Sequence, residues 1–204
     1  MEPVRTLTGT AAAIRRANID TDQIIPAVWM KRVQRTGYGD GLFQSWRAEP
    51  GFVLDRPERA AASILLAGPN FGCGSSRQHA VWALRDGGIR AVVSSEIADI
   101  HRTNLPTEGL VPVQLPEAMV ERLMDGTEAD AAMEITIDVV GRTVTCAAVG
   151  MLDEPFFLDD ASHHSLVNGF DPIDLTLRHA DLIGEHEARR AVSEPWLPSG
   201  RPSI

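Results

Sequence analysis

Ser63-Ile64-Leu65-Leu66-Ala67-Gly68-Pro69-Asn70-Phe71-Gly72-Cys73-Gly74-Ser75-Ser76-Arg77-Gln78-His79-Ala80-Val81-Trp82-Ala83-Leu84 places an apolar run, a glycine-rich turn and a helical pattern in direct succession. Read outward, the alternation continues: strand 62–67, helix 76–87, strand 89–94, helix 96–104, strand 110–114 and helix 116–125. Strands that alternate with helical patterns in this way predict an α/β fold with a parallel sheet. Upstream, residues 6–14 read as a further strand, and downstream 133–139 and 142–149 flank Gly141 as a hairpin of segments rich in Ile, Val and Thr. Residues 162–191 read as helical, and Pro195, Pro198 and Pro202 leave the final residues extended or disordered. Between Ala27 and Glu58 the pattern is irregular, punctuated by Gly37, Gly39, Gly41, Pro50, Gly51 and Pro57, and a loop of this length in a compact domain is usually functional or mobile.

With 204 residues, 44% of them hydrophobic, the chain can bury a proper core as one domain or one domain with an appendage. A net charge of −9 and no dense Lys/Arg stripe argue against nucleic acid as a partner. The N-terminus Met1-Glu2-Pro3-Val4-Arg5 has no signal-peptide character and no stretch is long enough to span a bilayer, so a cytoplasmic location is expected. Cys73 and Cys146 are too few for a disulfide framework or to hold an iron–sulfur cluster, which takes three or four thiolates. No metal site is expected on this chain, and any cluster must come from another one.

The strand-to-helix turn at 70–79 carries the chemistry. Gly72 and Gly74 permit backbone conformations closed to other residues and let a ligand approach the main chain. The following helix offers unpaired N–H groups and the positive end of its dipole. Ser75 and Ser76 add hydroxyls, and Arg77 adds a planar fork suited to a carboxylate. The competing explanation is a helix cap, with a serine hydroxyl accepting a backbone N–H and no chemistry at all. An arginine in the first helical turn opposes the dipole, which favours an anion that it must hold. No Gly-Lys-Ser/Thr ends the motif, so it is not a P-loop, and the Gly-x-Ser-x-Gly pattern of a hydrolase elbow is missing. Asp20 and Asp22 read as turn formers or caps rather than metal ligands. His163 and His164 are adjacent and point apart, which disfavours a shared metal.

The run Asn70–His79, with Asn18-Ile19-Asp20-Thr21-Asp22-Gln23-Ile24-Ile25-Pro26 before it and Ala98-Asp99-Ile100-His101-Arg102-Thr103-Asn104 after it, resembles the small subunits of 3-isopropylmalate dehydratases. Those subunits are the swivelling domain of the aconitase superfamily as a separate chain. Leu166-Val167-Asn168-Gly169 and Asp174-Leu175-Thr176-Leu177-Arg178-His179 extend the likeness from about residue 7 to 190. The resemblance implies a three-layer β/β/α swivelling domain with a partly parallel sheet over 1–160, including a mobile loop at 27–58, and a C-terminal helical extension and tail over 161–204.

It further implies a hydro-lyase that removes water from a hydroxy-diacid and adds it back the other way round, in leucine biosynthesis. The implied partner is a large subunit whose 4Fe–4S cluster binds the leaving hydroxyl. By matching motifs Ser75 is the base, while Gly74, Ser76 and Arg77 hold the substrate carboxylate. Within 27–32, Trp29 and Met30 are candidates to contact an apolar substituent, and Lys31 or Arg32 to favour an additional carboxylate; core packing or a subunit interface is the competing role for the first two. Three departures remove charge around the site: Gln78 stands where the family usually has Glu, Leu105-Pro106-Thr107-Glu108 lacks the usual lysine, and Ser162-His163 replaces a basic pair. Relatives acting on citramalate, homoaconitate or dimethylmalate share the machinery, and a non-catalytic assembly partner would share the fold.

Overall fold

The computed structural model describes residues 1–75, 77–194 and 196. The sheet is assembled around its first strand. β1 (Thr6–Ile14) pairs in parallel with β2 (Ile64–Ala67) on one side, Ala11 opposite Ile64, and antiparallel with β5 (Glu134–Asp138) on the other, Thr6 opposite Asp138. The parallel half continues through β3 (Ala91–Ser94) to β4 (Val111–Gln114). The antiparallel half continues through β6 (Thr143–Cys146) to β7 (Met151–Pro155), giving the order β4-β3-β2-β1-β5-β6-β7. This is the mixed, partly parallel α/β sheet that the sequence predicts.

The period-two geometry of strands divides the side chains between two cores. Ile64 and Leu66, with Ala91, Val93, Val111 and Val113, face Val120, Leu123 and Met124 of helix α5 (Glu117–Ala129). The inner side chains of the antiparallel half, Ile135, Ile137, Val144 and Cys146, enter that same core, so the sheet curls its second half over the first. Leu65, Ala67 and Val92 point the other way, onto Ala80, Val81, Ala83 and Leu84 of helix α3 (Gln78–Asp86). All four parallel-half strand interiors are buried on both faces, which explains their near-continuous apolar sequences.

Residues 27–58 fold as short helical turns around a buried aromatic cluster. Phe43 stacks on Trp46 with centroids 5.2 Å apart, and Phe52 and Tyr38 are buried beside them. The backbone N–H of Tyr38 donates to Asp86 at 3.0 Å, fastening this segment to the end of α3. Arg59 is buried and donates to the carbonyls of Ala11 (3.1 Å) and Thr127, which ties the end of the segment to β1 and α5.

Several boundaries differ from the sequence reading. Helix α3 begins at Gln78 rather than 76, and α4 covers only Asp99–Asn104 before a 3-10 turn at Leu105–Glu108. Pro106 has no N–H to continue the α-helical ladder. The single helical tail expected over 162–191 is three helices: α6 (Asp160–Asn168), α7 (Pro172–Leu177) and α8 (Ala180–Ser193). Gly169, at φ +73, closes α6, and an Asp171–Asp174 capping box with Pro172 at the first helical position opens α7. The final prolines at 195, 198 and 202 lie outside the described residues. No helix among the described residues is long and apolar enough to cross a membrane.

Candidate active site

The three segments on which the family likeness rests are far apart in sequence and joined in space. Each follows a parallel strand: 18–22 after β1, 70–77 after β2 and 96–102 after β3. They therefore meet at the carboxyl ends of the parallel strands, where open α/β sheets bind their ligands. Isolated bridges pair Asp20 with Cys73 and Phe71 with Ile97. Gly72 N–H donates to Ile19 (2.7 Å), Phe71 N–H to Glu96 (3.0 Å) and Ala98 N–H to Phe71 (2.9 Å). The glycine turn is thus held as a central strip between two neighbours.

Side chains complete the fastening. Asp20 caps the short helix α1 (Thr21–Ile24), accepting from Gln23 N–H at 2.8 Å while the Gln23 side chain accepts from Asp20 N–H at 2.9 Å. The Thr21 hydroxyl donates to the Ser75 carbonyl at 2.8 Å. Asn70 donates to the Asn18 side chain at 2.9 Å, and both residues hold left-handed backbone angles. Gly72 and Gly74, at φ +75 and +85, supply the conformations that this path needs. Gly74 and Ser75 are exposed as a result.

The structure places Arg77 differently from the expectation. It is the cap residue of α3, in extended conformation at φ −134, so it stands outside the helix rather than in its first turn. Ser75 is therefore not the cap of α3. Arg77 is largely covered and forms an ion pair with the half-exposed Asp22, 55 positions away in sequence. An Asp22 carboxylate thus occupies one edge of the fork and orients it. Ser76 lies outside the described residues.

Trp29, Met30 and Lys31 belong to a 3-10 turn at Ala27–Lys31. The indole of Trp29 donates to Gln44 at 2.6 Å and lies over Gly41, where a Cβ would stand 2.7 Å from the ring. Arg32 stacks on the opposite partner position of Trp29, 3.9 Å from the ring centroid, and donates to the Gly37 carbonyl at 3.0 Å. Trp29 adjoins Tyr38, and Tyr38 adjoins His79 at 5.4 Å between centroids. An aromatic chain thus connects this segment to the first turn of α3.

Two of the three departures from the family pattern turn out to be one contact. The Gln78 side chain donates to Thr107 and to Glu108, each at 3.1 Å. A neutral pair spans the gap between α3 and the 105–108 turn. Glu108 also accepts from Trp82 at 2.7 Å and pairs with Arg85, so this carboxylate fastens the whole inner side of α3. The third departure is elsewhere: Ser162 N–H donates to Asp159 at the start of α6, and His163 sits 3.4 Å from the Val140 carbonyl while His164 pairs with Asn168 and Arg178.

His101, given no separate role by the sequence reading, lies directly beneath the turn. It is 2% exposed, its ring meets Phe71 edge-on at 5.4 Å, and a Cβ on Gly72 would stand 2.3 Å from its Cγ. Its Nε2 has no hydrogen-bond partner among the described residues. Burial pushes its pKa down from 6.5 to about 4. The fold therefore holds the neutral ring. The resulting stability is complete above about pH 6.5, declines as pH falls and is lost below about 4, a swing on the order of 3 kcal/mol. His101→Leu removes this titration, so thermal melts from pH 7.5 to 4 are expected to show the variant losing less stability than wild type across that window. Parallel curves would show that His101 does not titrate as its burial dictates.

The donor set does not suit an iron–sulfur cluster. Cys146 is buried in the core, and burial together with Asp20 pushes the Cys73 thiol up, away from the thiolate form that binds iron. Among the described residues no three His, Cys, Asp or Glu side chains come together in a way that could hold a metal ion.

Comparison with known proteins agrees with the geometry. The family model for the aconitase C-terminal domain matches residues 1–118, and that for the C-terminal domain of the 3-isopropylmalate dehydratase small subunit matches 173–199. A 3-isopropylmalate dehydratase small subunit of Acidothermus cellulolyticus is 54% identical over 203 residues, covering 100% of both chains. Its counterpart in Thermobifida fusca is 53% identical over 97% of this chain and 98% of its own. The crystal structure of a 3-isopropylmalate dehydratase from Methanocaldococcus jannaschii aligns with a TM-score of 0.62 at 22% identity, over 89% of this chain and 99% of that one, and supports the fold.

Proposed function

The chain belongs to the family of 3-isopropylmalate dehydratase small subunits, and from that premise we propose that it is the cluster-free half of a two-chain hydro-lyase. It interconverts 2-isopropylmalate and 3-isopropylmalate in leucine biosynthesis, in the cytoplasm, with a large subunit as its partner. The observation that carries this reading is the exposed Gly74-Ser75 turn with Arg77 beside it, fastened at the carboxyl ends of three parallel strands.

In this reading Ser75 takes the proton from the carbon next to a substrate carboxylate. The C–H electron pair becomes the new C=C bond as hydroxide leaves the neighbouring carbon, and readdition of water in the opposite sense gives the isomer. An ordinary hydroxyl is too weakly acidic to serve near neutral pH, so its oxyanion needs local stabilisation from backbone N–H groups and from Arg77. Arg77 also holds a carboxylate, using the edge of its fork that Asp22 leaves free. Ser76 and the Gly74 backbone complete the carboxylate site. Trp29 and Met30 flank the isopropyl group, with Lys31 and Arg32 at its rim. The Lewis acid for the departing hydroxyl, a 4Fe–4S cluster in this superfamily, belongs to the large subunit, since the thiols of this chain do not suit it.

Mixed anaerobically with its large subunit, the chain is expected to interconvert the two isopropylmalates, each chain alone being inactive. Faster turnover of citramalate, homoaconitate or dimethylmalate would move the assignment to another substituted malate. No turnover of any diacid with the cluster intact would leave only an assembly role. Arg77→Lys keeps the charge and loses the planar fork and its pairing with Asp22. We expect kcat/KM to fall on the order of 10²-fold, with both KM and kcat affected; unchanged steady-state kinetics would count against the clamp.

A further inference from the structure

Helices α7 and α8 carry Ile173, Leu177, Leu182, Ile183 and Val192 and bury none of their residues. Helices this short are marginal in water without an apolar face packed on something. Yet α7 is firmly placed. Arg178, its cap residue, donates to His164 of α6 at 2.8 Å and lies over Phe170, 5.3 Å from the ring centroid. Helix α6 in turn packs on the 105–108 turn, whose Thr107 and Glu108 hold Gln78 at the start of α3. The unburied helices are thus linked by contacts to the face that presents Ser75.

The family matches divide at the same place. The model covering 1–118 describes a domain of a longer chain, joined covalently to the rest of its enzyme. The model covering 173–199 is specific to small subunits, which are separate chains. A separate chain must replace the covalent link with binding energy. We propose that α7 and α8 are the docking element for the large, cluster-bearing subunit, their exposed aliphatic side chains seating on it so that the Ser75 turn closes over the substrate. This rests on the two-chain reading above and names the surface that makes it work.

The test uses the full-length chain titrated with purified large subunit, by calorimetry and sedimentation. Ile173→Asp/Leu177→Asp and Leu182→Asp/Val192→Asp are expected to weaken the complex at least 100-fold. Ser75→Ala, altered only in the catalytic turn, is expected to bind as tightly as wild type. Because the substituted side chains bury nothing within the chain, melting temperatures should stay within a few degrees of wild type. A large drop would show them packed internally and overturn the proposal. So would wild-type affinity in both double variants while wild type itself forms the complex, an outcome that leaves the two-chain reading intact. Loss of a homodimer in the variants, with affinity for the large subunit unchanged, would give the helices to a second copy of this chain and also overturn it. Failure of wild type to bind any large subunit would remove the two-chain reading and this inference together.

Discussion

Ser75→Ala, assayed with the large subunit in place, is expected to lower kcat by about 10²- to 10⁴-fold, the range for losing a positioned general base. KM should change little, because the carboxylate site remains in Arg77 and the backbone of the turn. The substitution is small and the residue exposed, so the fold and the thermal melt should be unaffected. The Ser75 carbonyl, which accepts from Thr21, is retained in the variant, so the turn keeps its fastening. A fall in kcat with matched binding and stability isolates the proton-transfer role. Normal turnover by the variant would remove Ser75 as the base and leave the turn as a binding element only.

Gly72→Ala is expected to be the most damaging single-methyl change in the site. The new Cβ would stand 2.3 Å from Cγ of the buried His101 ring, and the residue sits at φ +75. His101 is pressed against Phe71 and has little room to withdraw. Overpacking in such a place costs about 1–3 kcal/mol, and an L residue in the left-handed region adds about 1–2 kcal/mol. For a chain of this size each kcal/mol moves the melting temperature by roughly 2–4 °C, so a fall on the order of 10 °C is expected. Gly74→Ala is the control. It shares the positive φ, but its Cβ would meet only the Asp20 side chain at 3.5 Å, an ordinary contact. Differential scanning calorimetry of the two variants should separate them clearly; equal losses would mean that backbone strain, not the His101 contact, sets the effect.

The parts of this fold legible in the sequence are those governed by local pattern. Residues 6–14 form β1 as expected, and the apolar runs near 64, 91 and 111 are buried strands separated by helices. The hairpin around Gly141 is also present. Strand β7 is invisible locally: Met151-Leu152-Asp153-Glu154-Pro155 buries only Met151 and includes two acids and a proline, so tertiary pairing with β6 overrides propensity. In the site, the glycines, Ser75 and Arg77 stand out because their types are chemically unusual at a strand-to-helix turn. Their supports do not. Asp22 meets Arg77, and Gln78 meets Thr107 and Glu108, across sequence separations that no local pattern reports. A search for complementary substitutions among departures from a motif is the signal that would have linked Gln78 to Thr107.

The placement of β1 has a consequence for synthesis on the ribosome. The strand at the centre of the sheet is the first to emerge, and it must wait for Ile64–Ala67 on one side and Glu134–Asp138 on the other. Contacts so distant in sequence form slowly, and an unpaired central strand is exposed to wrong partners meanwhile. The parallel half needs nothing beyond Gln114 for its own strand pairing, and all three segments that meet at the Ser75 turn precede that residue. The nascent chain can therefore assemble its reactive turn before its antiparallel half exists, with α7 and α8 leaving the exit tunnel last.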